Sequence, residues 1–264
     1  MTIWAYIAFS LSALVLVLAY WKKALSLSAT ILAILMVYVA TTAGINYVVF
    51  HVLAFLMISV IDHICRKKSQ FTNDNIVQKT GTRDHIQVFV NGGIAMISVL
   101  LWHIYKNKVF LLCFTASLIE SFGDSAASDF GIAFGKQAYD ICRFRKIQAG
   151  LSGGITLAGT TGCFLSCLLM SAVAYFFHLA GTLKETMLLA VAGFLGCMID
   201  SVLGSTVQRK EQCQSCGIIT EKKHHCNMPT KYYSGIRWIN NDVVNLMCNL
   251  ISALLIMILV KIGW

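Results

Sequence analysis

The chain has 264 residues, of which 57% are hydrophobic and only 12% charged. A soluble domain carries about 25% charged residues, so the composition excludes a soluble globular protein and points to a chain that crosses a membrane several times. The formal net charge is +9, from 21 Lys and Arg against 12 Asp and Glu, and with a single proline among 19 glycines any helix break has to come from glycine.

A spanning helix needs about 20 apolar residues. Eight spans are predicted, at roughly 2–21, 25–43, 45–64, 87–105, 109–128, 155–180, 186–206 and 242–262. The fold class is therefore an all-α polytopic bundle in one transmembrane domain, with a Cys/His loop at 209–240 inserted between the last two spans. The second and third spans are separated only by residues 41–46, so one of them is a candidate re-entrant segment. No basic segment precedes Ile3, and no cleavable signal peptide is expected.

The loops after the first, third, fifth and seventh spans hold 17 of the 21 basic residues; the other side has Lys106, Lys108, Lys184 and Lys261. By the positive-inside rule the first set is cytoplasmic and both termini lie outside. The expected location is the plasma membrane of a prokaryote, and no nucleic-acid partner is expected. Asp84, Glu120, Asp124, Asp129, Asp200 and Asp242 all stand at the ends of apolar segments. Distant parts of the chain thereby bring acid and base to one membrane face. A transporter more often holds its ionisable groups near the midplane; this placement suits a site that takes one reactant from water and another from lipid.

Six stretches carry the chemistry. In KTGTRDHIQVFVNGG (79–93), Arg83 can fork onto a phosphate, Asp84 can hold a metal, and Asn91 follows about two helical turns on. A snorkelling basic helix end with small packing residues accounts for the same pattern. ESFGDSAASDFGIAFGK (120–136) is the centre of the reading. Carboxylates at a membrane helix end are expensive unless they hold a cation or a partner. Glu120 and Asp124 are spaced i,i+4 and share a helix face, and Lys136 closes the stretch. Acids, small residues and a lysine together suit a place where a metal and phosphates meet. The competing account is a Gly/Ser/Ala packing face with Asp124 hydrogen-bonded inside the bundle, but three acids in ten residues exceed what packing requires. On a continuous helix Asp129 falls off the Glu120–Asp124 face, so either the helix breaks at 125–128 or Asp129 has another role.

RFRKIQAGLSGGITLAGT (143–160) places Arg143, Arg145 and Lys146 before a turn with Gly150, Gly153 and Gly154 at the start of the sixth span. Free amides and the helix dipole favour anions there. The Walker order GxxxxGK(S/T) is absent, and an ordinary positive-inside loop is the alternative. In GCMIDSVLGSTVQ (196–208), Asp200 is the lone carboxylate of the seventh span, a metal ligand or a buried hydrogen-bonded acid. In WINNDVVN (238–245), Asn241 and Asn245 are spaced i,i+4 beside Asp242, either at a ligand or serving as a helix N-cap. In CQSCGIITEKKHHC (213–226), Cys213, Cys216, His225 and Cys226 suit a structural zinc, although the usual pairing has a longer gap; free thiols are the alternative. The other seven cysteines read as packing residues in or beside apolar spans.

The ordered set GTRDHIQVFVNGG, ESFGDSAASDFG, GLSGGITLAGT, IDSVLGSTVQ, CQSCG and GIRWINNDVVN resembles the integral-membrane family of domain of unknown function ninety-two, which takes in phytyl-phosphate kinases. The resemblance covers about residues 75–262. GDSAASDFGIAFGK also looks, more distantly, like a pattern of polyprenol kinases and phosphatidate cytidylyltransferases. Two departures stand out: the family usually has Glu where this chain has Asp129, and Pro near the position of Gln148.

The resemblance implies phosphoryl transfer from a nucleoside triphosphate, with CTP the candidate, to a prenyl monophosphate, giving a prenyl diphosphate. It implies Mg²⁺ on Asp124 and Asp200, with Glu120, Asp84 or Asp129 assisting. Lys136 would act with Asp124 and Asp200 at the reacting centre. Arg83, Asn91, Arg145, Lys146, Gly153, Gly154, Asn241 and Asn245 would hold nucleotide and phosphate. The residue types suit this without the likeness, since such transfer needs mostly positioning and charge neutralisation. A cytidylyltransferase making a CDP-lipid, a transporter of cations or lipid phosphates, and a non-catalytic scaffold are the rival readings.

Overall fold

The computed structural model describes residues 3–68 and 81–262; Lys79 and Thr80, which open the first stretch, lie outside the described residues. Eight helices run in chain order: α1 (Ile3–Trp21), α2 (Leu27–Ala43), α3 (Ile45–Lys68), α4 (His85–Tyr105), α5 (Val109–Phe134), α6 (Leu157–Phe176), α7 (Leu183–Thr206) and α8 (Asn241–Ile262). Seven are long and apolar enough to cross a membrane, and α2, at 17 residues, falls just short. The class is the expected all-α polytopic bundle.

The helix starts follow from local chemistry. Ser26, Thr156 and Thr182 each place a hydroxyl on an otherwise orphaned amide of the first turn of α2, α6 and α7. Asp84 does the same for α4: its Oδ1 accepts from Gln87 N at 2.9 Å, and Gln87 Oε1 accepts from Asp84 N at 3.1 Å. That reciprocal pair is a capping box. Asn240 opens α8, with its Oδ1 accepting from Val243 N at 3.0 Å.

α5 is the axle. It packs against α3, α4, α6, α7 and α8. Within its most apolar window 72% of residues are buried, against 22–39% in the other spans. α6 crosses it closely: a Cβ on Gly159 would lie 2.7 Å from the Ala127 carbonyl oxygen and 3.2 Å from Gly131 Cα. Without water to expel from between them, membrane helices associate through such close backbone approach of small residues. α5 runs unbroken through residues 125–128 to Phe134, so of the two accounts of Asp129 the continuous helix is the one observed.

Residues 24–26, residues 81–84, the α5–α6 segment and the α7–α8 segment gather at one end of the bundle. Leu25 bridges Arg83, with Ser26 N donating to Arg83 O and Arg83 N to Ala24 O, both at 3.0 Å. The α5–α6 segment folds into an antiparallel sheet of order β2-β1-β3: β1 (Ala138–Asp140), β2 (Lys146–Ile147) and β3 (Gly154–Ile155). The α7–α8 segment forms a second, of order β5-β4-β8: β4 (Lys210–Gln212), β5 (Ile219–Thr220) and β8 (Lys231–Ser234), with the hairpin of β6 (His224–His225) and β7 (Met228–Pro229) between them. These strands are two to four residues long, below the length at which alternation is readable in sequence.

Asp84→Ser keeps a capping oxygen and is expected to leave thermal stability in detergent near that of the parent chain. Asp84→Ala removes the cap and should cost about 1 kcal/mol, seen as a lowered melting temperature. If instead the serine variant folded normally but lost all activity, the carboxylate would have a role beyond capping.

Candidate active site

A polar cavity of about 500 Å³ lies at the loop-gathered end. All six singled-out stretches reach its wall, through Arg83, Asn91, Asp124, Asp129, Gly150, Gly153, Gly154, Asp200, Glu221, Asn241 and Asn245. Asn240 takes the capping task at the start of α8, which leaves Asn241 and Asn245 on the cavity side.

The acids lie at two levels. Asp124 and Asp200, from α5 and α7, line the cavity. Glu120 sits a turn deeper and is not on the wall; it is 1% exposed, and a Cβ on Gly196 would come within 2.6 Å of its Cγ. Asp200 Oδ2 and Glu120 Oε2 are buried with no hydrogen-bond partner among the described residues. A buried carboxylate without a donor is costly, and a cation is the usual remedy. Among the described residues, no three acids bring ligand oxygens within 4.8 Å of one another. Mg²⁺ in phosphoryl-transfer sites is commonly held by one or two carboxylates, with water and substrate phosphate completing the shell.

Asp129 shares the wall with Asp62, Arg66 and Arg83. Arg66 Nε donates to Asp62 Oδ1 at 2.6 Å. Burial pulls the Arg83 guanidinium below its ordinary pKa, while the Asp62 and Asp129 carboxylates push it back up. Arg83 thus has anionic neighbours already and still presents a cation to the cavity.

The glycine-rich turn forms the roof. Gly153 has φ +85°, and a Cβ there would lie 2.4 Å from Ser205 N and 2.5 Å from Ser205 Cα. The turn is therefore pressed onto the end of α7 with no space for a side chain. Beside it, Ser205 Oγ donates to Asp140 Oδ1 at 2.8 Å, and the Cys142 and Arg143 amides donate to the same oxygen. Burial works against the charge of Asp140, but these donors and the Arg143 guanidinium together hold its carboxyl below the ordinary value. Glu221, from the α7–α8 segment, accepts from Ser152 N at 3.1 Å and from Ser152 Oγ, and it also lines the cavity. Its carboxyl is raised by burial, with the Ser152 donors and Lys210 opposing.

Several predicted site residues are placed elsewhere. Asp84 caps α4 and does not line the cavity. Arg145 and Lys146 are exposed on the β1–β2 hairpin, where Arg145 O accepts from Asp140 N. Lys136, exposed just past the end of α5, instead edges an apolar groove of about 1050 Å³ formed by α3, α5 and α6. That groove shares Thr156 with the polar cavity. The wall also contains Asp62, Arg66, Ser152 and Glu221, none of which sequence reasoning selected. Glu221 had one signal: it is a lone acid between two pairs of potential metal ligands. Of the cysteines read as packing residues, Cys163, Cys167 and Cys197 do meet in the core, around Gly123, whereas Cys142 is exposed.

Fold and cavity together define an integral membrane protein with an acid- and glycine-lined site at one end of its helix bundle. The chain belongs to the family of integral membrane protein DUF92, whose model matches residues 10–253. It is similar to Protein PGR of Arabidopsis thaliana, 26% identical over 93% of this chain and 92% of that one. Protein VTE6, chloroplastic, of the same plant is 26% identical over 53% of this chain but only 34% of its own length. The uncharacterized membrane protein sll0875 of Synechocystis is 28% identical over 38% of each chain. No solved structure matches the chain.

Gly153→Ala is expected to displace the turn and lower the melting temperature by several degrees, since it adds both a left-handed alanine, about 1–2 kcal/mol, and a backbone clash. Gly81→Ala, also at positive φ but with nothing within 4 Å, should show the smaller effect alone. For Asp140, a folded-state pKa below the unfolded one means stability that is present above the ordinary carboxylate range and lost as pH falls through it. Melting curves taken from neutral pH down past about pH 4 should fall less steeply in Asp140→Asn, which starts from a lower plateau.

Proposed function

We propose that this chain is a membrane-embedded phosphotransferase that moves the γ-phosphoryl group of a nucleoside triphosphate, with CTP the first candidate, onto a prenyl monophosphate. A phosphate oxygen of the acceptor attacks the γ-phosphorus, the bridging bond to the β-phosphate breaks, and a nucleoside diphosphate and a prenyl diphosphate leave. The observation that carries the reading is the meeting of Asp124, Asp200, Arg83 and the Gly150–Gly154 turn on one cavity that adjoins an apolar groove.

Asp124 and Asp200 would hold Mg²⁺, which when bound neutralises phosphate charge. Arg83 offers a planar fork to phosphate oxygens, and Asn241 and Asn245 offer amide donors. The glycine turn lets a phosphate approach backbone without meeting a side chain. The acceptor is already an anion, so no strong base is needed, and catalysis is positioning with charge stabilisation. The apolar groove at Thr156 suits the isoprenoid tail, with Lys136 at its rim near the tail's phosphate. The positive-inside pattern is what supports a cytoplasmic position for this end of the bundle.

Purified protein with Mg²⁺, γ-labelled nucleotides and a panel of prenyl monophosphates should yield labelled prenyl diphosphate. Asp124→Asn and Asp200→Asn should each lower the rate by about 10²-fold or more, the scale for losing a preorganised electrostatic contact. Transfer of an α-label in place of the γ-label would replace the kinase by a nucleotidyl transferase. Full activity in both variants would remove the carboxylates from the mechanism.

A further inference from the structure

The α7–α8 segment carries a feature that phosphoryl transfer does not use. Cys213 and Cys216 flank the turn between β4 and β5, and His225 and Cys226 stand at the turn between β6 and β7. One ligand atom from each of these four residues lies within 4.8 Å of the other three. Cys216 Sγ is 3.5 Å and Cys226 Sγ 3.2 Å from His225 Nδ1.

Hydrogen bonding does not account for this crowding. One imidazole nitrogen carries either one proton or one lone pair, so it satisfies one thiol and not two. The separations instead approach the edges of a tetrahedron about a metal: Zn–S bonds of about 2.3 Å and Zn–N bonds of about 2.0 Å put neighbouring donors about 3.5–3.8 Å apart. The backbone is shaped to the same end. Gly217, at φ +73°, donates its amide to Cys213 O at 3.0 Å and folds the first pair into a tight knuckle. Cys226 and Asn227 have φ of +52° and +58°, the two-residue hairpin turn that favours Asn and Gly. A cysteine in the left-handed region is unfavourable and needs something to hold it there.

We infer that Cys213, Cys216, His225 and Cys226 bind one structural Zn²⁺. Three thiolates and a neutral imidazole close the tetrahedron, leaving no open position for catalysis, and three thiol protons go to solvent as the ion binds. The site has a purpose in this fold. Glu221 lies between the two ligand pairs in sequence and reaches Ser152 at the cavity roof. The α7–α8 segment has little apolar core of its own, so a metal is what fixes the hairpins that deliver Glu221. This inference stands on the ligand geometry alone and survives if the phosphotransfer reading fails.

Protein purified in detergent without chelator should contain one zinc per chain by elemental analysis. Cys216→Ser and Cys226→Ser should each lose it, while Cys142→Ser, an exposed thiol on another loop, should keep it. Should the two ligand variants fail to fold, the parent chain still decides the matter: cobalt exchanged into it should give visible ligand-field bands of tetrahedral geometry with thiolate charge transfer in the near ultraviolet. Chelation should also open Lys222–Lys223 to trypsin. Zinc content far below one per chain after growth with added zinc, retention of zinc by both ligand variants, or a cobalt spectrum without thiolate bands would overturn the assignment.

Discussion

Carboxyl groups buried in a membrane bundle are the constraint from which the rest follows. Glu120 and Asp124 lie on the most enclosed helix, and Asp200 faces them from α7. Held alone in hydrocarbon, each would cost several kcal/mol. Asp124 and Asp200 open onto a polar cavity whose wall also carries Arg66 and Arg83. Orphaned oxygens on Asp200 and Glu120 show that the protein's own donors do not finish the task. Under the function proposed above, a bound cation would recover that loss.

The cavity depends on backbone approach more than on side-chain contacts. Small residues on α5 and α6 let the two helices touch at Gly131 and Gly159, and Gly153 lets the roof rest on Ser205. The side chains that then matter hold the roof from behind: Asp140 gathers three donors beside Ser205, and Glu221 clasps Ser152 from the neighbouring loop. Two loops separated by a pair of helices thus close over one space.

Much of this was legible because the chain is so poor in acids. Asp124, Asp129 and Asp200 were conspicuous at the ends of apolar runs, and they line the cavity. Helix starts were legible from hydropathy, whereas α3 and α5 run on to Lys68 and Phe134, past the predicted ends at 64 and 128. What was not legible depends on direction and distance. Asp84 has the right company in sequence, yet its carboxylate is turned back onto Gln87 N, because an acid directly before a helix meets the amides first. Glu120 shares a helical face with Asp124 but lies a turn deeper. Lys136 follows an unbroken α5 and so emerges toward the apolar groove. Asp62 and Glu221 enter the wall only through folding: one sits in an ion pair with its own i+4 neighbour, and the other is delivered by short strands with no periodic signal.

The pairing of Leu25 with Arg83 has a consequence for how this site tolerates change. Arg83 is anchored by main-chain bonds to residues 24 and 26, in a loop more than fifty positions away. Those bonds are blind to side-chain identity. Within the connector between the first two helices Leu25 is buried and Ser26 caps α2, so side chains and backbone are both fixed there, and a single inserted or deleted residue would carry the guanidinium out of place.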